Sequence, residues 1–115
     1  VDLTSGFSGN LLINVEARPR PFSPNGDGVN DLTMINYDLA RLVDATPLSV
    51  QVFDLAGRQI RTLFSDEQGG GSFSHPWNGR NSAGQLVPPG IYIISVDLDS
   101  DSGREKVATT VELAY

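Results

Sequence analysis

The sequence predicts an all-β chain folded as a two-sheet β-sandwich of about seven strands, with a partly open barrel as the runner-up arrangement. Three observations predict it. Twelve glycines and seven prolines punctuate short apolar runs along 115 residues. No stretch of a dozen residues keeps a helical period without a breaker or a β-branched cluster. Several runs instead alternate apolar with polar residues between frequent turn signals, and in two stacked sheets such alternate residues fill one core.

The elements follow in order. Leu11, Ile13, Val15 and Ala17 alternate with Leu12, Asn14 and Glu16, which predicts a first strand. Arg18-Pro19-Arg20-Pro21 stops it, because proline donates no ladder hydrogen bond. Ile35, Tyr37 and Leu39 mark the buried face of a second strand, and Ala40 to Pro47 is expected as a loop. Leu48 to Leu55 and Gln59 to Phe64 form a predicted hairpin turning at Ala56-Gly57. Gly69-Gly70-Gly71 is expected as a flexible hinge before a fifth strand, Ser72 to Trp77, and Asn78-Gly79 and Ala83-Gly84 as tight turns. Tyr92, Ile94, Val96 and Leu98 line one face of the sixth strand. Val107, Thr109, Val111, Leu113 and Tyr115 line one face of the seventh, with Asp99 to Gly103 as the loop between them.

This length suits one core, and no second composition regime or internal repeat marks a boundary. The expected organisation is a linker or lead over 1–10 and a single module over 11–115. The net charge is −6 and the basic residues are scattered, so nucleic acid and anionic membrane surfaces are not expected partners. No apolar run approaches the ~20 residues of a membrane span, and Val1 to Asn10 lacks the pattern of a signal peptide. Cysteine is absent, which excludes disulfides and thiolate metal sites.

The segment Ser23-Pro24-Asn25-Gly26-Asp27-Gly28-Val29-Asn30-Asp31 places oxygen-bearing side chains at alternate positions around a glycine turn. A hard cation such as calcium takes six to eight oxygens, and loops of this kind supply them from alternate side chains and a backbone carbonyl. Ser23, Asn25 and Asp27 would stand at loop positions one, three and five, Gly28 at the bend, Val29 would offer its carbonyl and Asp31 would bind directly or through water. Serine replaces the usual first aspartate, and Met34 stands where the closing carboxylate is expected. The competing reading is a plain turn in which Asn25-Gly26 and Asp27-Gly28 satisfy backbone groups. Asp97, Asp99 and Asp101 also alternate, but Gly103 comes one position late for such a turn, and a solvated strand face is the ordinary explanation.

Four ordered motifs are similar to those of one bacterial module: Pro21 to Asp31 with Ile35-x-Tyr37-x-Leu39, Val52-Phe53-Asp54-Leu55-Ala56-Gly57-Arg58, Trp77-Asn78-Gly79-Arg80-Asn81 to Gly84, and Pro89-Gly90-Ile91-Tyr92. From about Pro21 to Tyr115 the chain resembles the immunoglobulin-like domain of the flagellar hook-capping type, a relative of type IX secretion C-terminal sorting domains. The resemblance implies an immunoglobulin-like or fibronectin III-like sandwich without catalytic residues, set at the C-terminal end of a larger secreted or cell-surface bacterial protein. Expected partners are then the neighbouring domains of that protein, with secretion machinery or a cell-surface component as further candidates.

Each motif also has a structural reading. Asp54 would satisfy amides of its own turn, with a reach to the calcium loop as the alternative. Trp77 would sit in the core with its indole N–H on a carbonyl, and Tyr92 would act as a corner tyrosine. Catalysis is not expected, since His75 is the lone histidine, there is no cysteine, and no nucleophile elbow or phosphate-cradling loop occurs. Three roles remain: a spacer or interaction module stabilised by calcium, a C-terminal sorting domain, and a carbohydrate-binding module, which would need a row of exposed aromatics.

Overall fold

The computed structural model describes residues 11–24, 26, 28, 30–40, 45–100 and 103–114. The lead 1–10, the candidate ligands Asn25, Asp27 and Val29, and Asp101 and Tyr115 lie outside these residues. Seven strands are formed: β1 (Leu12–Arg18), β2 (Thr33–Leu39), β3 (Thr46–Phe53), β4 (Gln59–Gln68), β5 (Gly71–Trp77), β6 (Gly90–Ser100) and β7 (Gly103–Leu113). They pair into a three-stranded sheet ordered β1-β2-β5 and a four-stranded sheet ordered β4-β3-β6-β7, with every strand pair antiparallel. The expected immunoglobulin-like sandwich is therefore the fold.

Alternation decides the core. Ile35, Tyr37 and Leu39 of β2 face Leu48, Val50 and Val52 of β3 and Tyr92, Ile94, Val96 and Leu98 of β6, all buried between the sheets. Phe22 and Trp77 pack with ring centroids 5.5 Å apart, and Trp77 meets Tyr92 edge-on at 5.4 Å. Such tilted pairs satisfy the ring quadrupoles better than face-to-face stacking.

The first strand does not keep a single phase. Leu12 is 2% exposed and Ile13 is 38% exposed, the reverse of a simple alternation led by Leu11 and Ile13. The register against β2 shifts between Ile13 and Glu16, and Asn14 adopts φ 58°. A bulge inserts one unpaired residue and so resets which side chains face inward, carrying Leu12 and Ala17 to the same face across an odd spacing. Two further boundaries move. Thr46 and Pro47, expected in a loop, already belong to β3, and Gly71, expected in a hinge, pairs with Leu39. The β4–β5 connection carries the chain from one sheet to the other, so β4 joins β3 and does not pair with β5.

These registers set two poles. Leu11, Leu39, Gly71 and the β6–β7 turn stand at one, whereas Arg18, Thr33, Trp77, the β3–β4 turn, Gly90 and Ala114 stand at the other.

Candidate metal centre

The Ser23 to Asp31 loop lies at the second pole, between β1 and β2. After Arg18 the chain crosses from the three-stranded sheet to the edge of the four-stranded one. There the Phe22 N–H donates to Glu112 O and the Ala114 N–H to Phe22 O, both at 3.0 Å, in a parallel bridge to β7. The Phe22 ring is buried against Trp77, which anchors the loop base. The Ser23 N–H donates to Asn30 O at 2.7 Å and closes the loop.

Of the five residues predicted to bind metal, Ser23 and Asp31 can be placed. The Ser23 hydroxyl donates to Ala114 O. Asp31 reaches back into the loop, where Oδ1 accepts the Gly26 N–H at 3.0 Å and Oδ2 the Gly28 N–H at 2.7 Å. Gly26 and Gly28 hold φ of 81° and 82°, the left-handed region where a side chain would be strained. Both residues therefore have structural duties. A hydroxyl and a carboxylate nonetheless keep acceptor lone pairs after such bonds, so neither duty removes them as cation ligands. The five-residue set offers only oxygen, the donor type of a hard cation. Among the described residues no group of three or more His, Cys, Asp or Glu converges.

The other singled-out residues fall into place. The Asp54 carboxylate serves its own turn: Oδ1 accepts the Arg58 N–H and Oδ2 the Arg58 Nε–H, each at 2.9 Å. The backbone bond from Arg58 leads in holding its pKa below the usual carboxylate range. The Trp77 indole donates to Arg80 O at 2.9 Å, and the Tyr92 hydroxyl to Pro88 O at 2.6 Å, as a corner tyrosine does. Asn81 caps its turn by accepting the N–H groups of Ala83 and Gln85, each at 3.0 Å. Asp97 and Asp99 straddle Arg104 at 3.4 and 3.6 Å, so the acidic row on β6 is partly neutralised from β7.

One further anchor escaped the sequence. The Glu105 carboxylate on β7 accepts the N–H groups of Leu11 and Leu12 at 3.0–3.1 Å and ties the start of β1 to the opposite sheet. Nothing in the charged run Arg104-Glu105-Lys106 announces that reach.

No described aromatic is fully exposed: Phe22, Tyr37, Trp77 and Tyr92 are buried, and Phe53, Phe64 and Phe73 are half-buried. The described residues thus offer no flat aromatic row of the kind a sugar stacks on.

A family model described as the FlgD Ig-like domain matches residues 26–102, more than half of the chain. The chain belongs to this family. Among solved structures it is similar to dimeric latent PorU from Porphyromonas gingivalis, with a TM-score of 0.71 at 14% identity over 97% of this chain. It is also similar to FlgD from P. aeruginosa, with a TM-score of 0.55 at 24% identity over 71% of this chain. A third is PorZ, a surface component of the type-IX secretion system of P. gingivalis, with a TM-score of 0.50 at 21% identity over 88% of this chain. At these identities the likeness is one of fold. This FlgD Ig-like domain spans 10% of PorU, 61% of FlgD and 11% of PorZ, less than two thirds of each. No curated protein matches the chain.

Proposed function

We propose that this FlgD Ig-like domain is a non-catalytic accessory module of a larger exported bacterial protein, acting outside the cell as a spacer and interaction domain and stabilised by calcium. The observation that carries the spacer reading is the separation of Leu11 and Ala114 at opposite poles, so a polypeptide passing through the module crosses its whole length. The aromatic rings are spent on the core, and Asp54, Asn81 and Tyr92 on their own turns. That leaves the turn chemistry of the second pole to hold shape.

Calcium would be held by Ser23, Asn25, Asp27, the Val29 carbonyl and Asp31. At an extracellular-module affinity of ~10⁻⁴–10⁻³ M and ~1 mM calcium, linkage supplies only ~0.4–1.4 kcal/mol, so the ion tunes the module and does not create its fold. Calorimetric titration of chelator-treated protein is the test. Saturable binding with a melting rise that Asp27→Ala abolishes is expected; no heat and no shift would leave the loop as a plain turn.

A second reading, a C-terminal sorting domain recognised by a type IX-like secretion machine, is favoured by the fold shared with PorU and PorZ. Export of a reporter fused ahead of the module, in cells with and without that machine, separates the two roles.

A further inference from the structure

Both sheets end in edge strands, and an unpaired edge is a template for another strand. Among the described residues, three of the four edges are each capped in part. At β1, Glu105 takes the Leu11 and Leu12 N–H groups, the bulge at Asn14 distorts the ladder and Pro19 follows its end. At β7, Phe22 forms its parallel bridge. At β4, Ile60 O accepts the Ser82 N–H at 3.1 Å, and the Glu67 N–H is taken by Asp66 Oδ1 at 2.8 Å.

The edge of β5 is different. Pro76 pairs with Met34 yet has no N–H, so this cannot be a hydrogen-bonded pair. Narrow and wide pairs alternate along an antiparallel ladder, which makes Asn36↔Ser74 and Asp38↔Ser72 non-hydrogen-bonded as well. The N–H and C=O groups of Ser72 and Ser74 therefore point away from β2, and among the described residues no backbone or side-chain group caps them. Ser72 to Ser74 carries no charge, no proline and no bulge, and Pro76, which lacks an N–H on the same outward edge, bounds the stretch at one end. Beside it, Phe64 of β4 stacks on His75 at 4.7 Å, and Phe64, Phe73 and His75 are all half-buried along the open flank between the sheets.

We propose that the Ser72–Ser74 edge of β5 is a docking site for an extended, basic segment of a partner polypeptide, which adds as a fourth strand to the three-stranded sheet. Main-chain bonds to Ser72 and Ser74 supply the pairing, as in other strand-addition complexes. Inward residues of the added strand are apolar, because they cover Phe64, Phe73 and His75. Its charge follows from Asp38, hydrogen-bonded beside Ser72, and from exposed Asp66 and Glu67 next to the β4–β5 connection. A second copy is disfavoured by the same charges and by the net −6 of each chain.

The test uses the 15N-labelled protein and a blocked synthetic peptide, Lys-Val-Thr-Val-Lys-Val, at low salt, with Glu-Val-Thr-Val-Glu-Val as control. The expected result is saturable shifts and slowed exchange at the Ser72 and Ser74 amides with the lysine peptide, and much weaker binding of the glutamate peptide. Ser74→Pro removes an outward N–H that the ladder does not need and abolishes binding. Should that variant fail to fold, Glu67→Lys keeps the test alive, weakening the lysine peptide about two- to fivefold, the worth of an exposed ion pair. Unmoved Ser72 and Ser74 amides, equal binding of the two peptides, or sedimentation as a β5-dependent dimer without peptide would each overturn the proposal.

Discussion

Gly79 packs so closely on Pro24 that a Cβ built on it would stand 2.9 Å from the proline Cγ, and equally close to Leu113 Cδ1. This contact fastens the Trp77-Asn78-Gly79 turn to the base of the Ser23–Asp31 loop and to β7. Gly79 also holds φ +76°. Gly79→Ala is expected to lower stability by about 2–4 kcal/mol, combining overpacking with the left-handed conformation. Gly57, at φ +89° with nothing within 4 Å, is the control; Gly57→Ala should cost only about 1–2 kcal/mol. Urea midpoints at unchanged m-value measure both.

Tyr92 and Trp77 each hold a carbonyl of the loops at the second pole. Tyr92→Phe keeps the ring and removes the donor to Pro88 O, which should cost about 1 kcal/mol in denaturant unfolding. Trp77→Ala should cost about 3–5 kcal/mol, since a fully buried indole leaves a cavity as well as an unpaired Arg80 carbonyl.

His75 lies 2.8 Å from the Tyr37 hydroxyl through Nε2, and burial lowers its pKa below 6.5. A depressed pKa means that the unfolded chain binds the proton more readily, so stability is fully present above pH 6.5 and declines as pH falls toward the folded pKa. Urea midpoints between pH 7.5 and 5 should fall for wild type, and His75→Gln should remove that share of the slope.

Tyr37 runs the opposite way. Burial raises its pKa from 10.0 to about 12. Its contribution is complete below pH 10 and is lost as pH rises toward 12, because the unfolded tyrosine ionises first. Absorbance titration of the phenolate should show a late-ionising tyrosine that is lost in Tyr37→Phe.

Asp31 and Asp27 separate the architectural role of the loop from the proposed metal role. Asp31→Ala strips acceptors from the Gly26 and Gly28 N–H groups, and should cost about 1–2 kcal/mol even with chelator present. Asp27→Ala should lower stability only when calcium is added. Melting curves with and without chelator check the pair.

Much of this architecture was legible in the sequence. Side chains alternate across a strand with a period of two, so Ile35/Tyr37/Leu39 and Tyr92/Ile94/Val96/Leu98 declared their buried faces directly. Turn chemistry is equally local, which is why Asp54, Gly57 and the Asn81 turn stood where their residue types placed them. The inversion of Leu12 and Ile13 was hidden, because a bulge depends on how the partner strand pairs and not on the apolar pattern of its own strand. Likewise, the run from Gly69 to Gly71 showed a break without showing that the chain changes sheets there.

Composition and periodicity determined the all-β class, the number of strands and the inner faces of the strands without an early bulge, because those follow from backbone geometry within each segment. Only the tertiary structure decided that Glu105 holds the amides of Leu11 and Leu12, that Asp31 turns back onto its loop, and that β5 is an edge whose Ser72 and Ser74 no described residue caps. Those facts join residues distant in sequence or depend on which strand lies beside which, and pairing energy is shared among strands that no local pattern can rank.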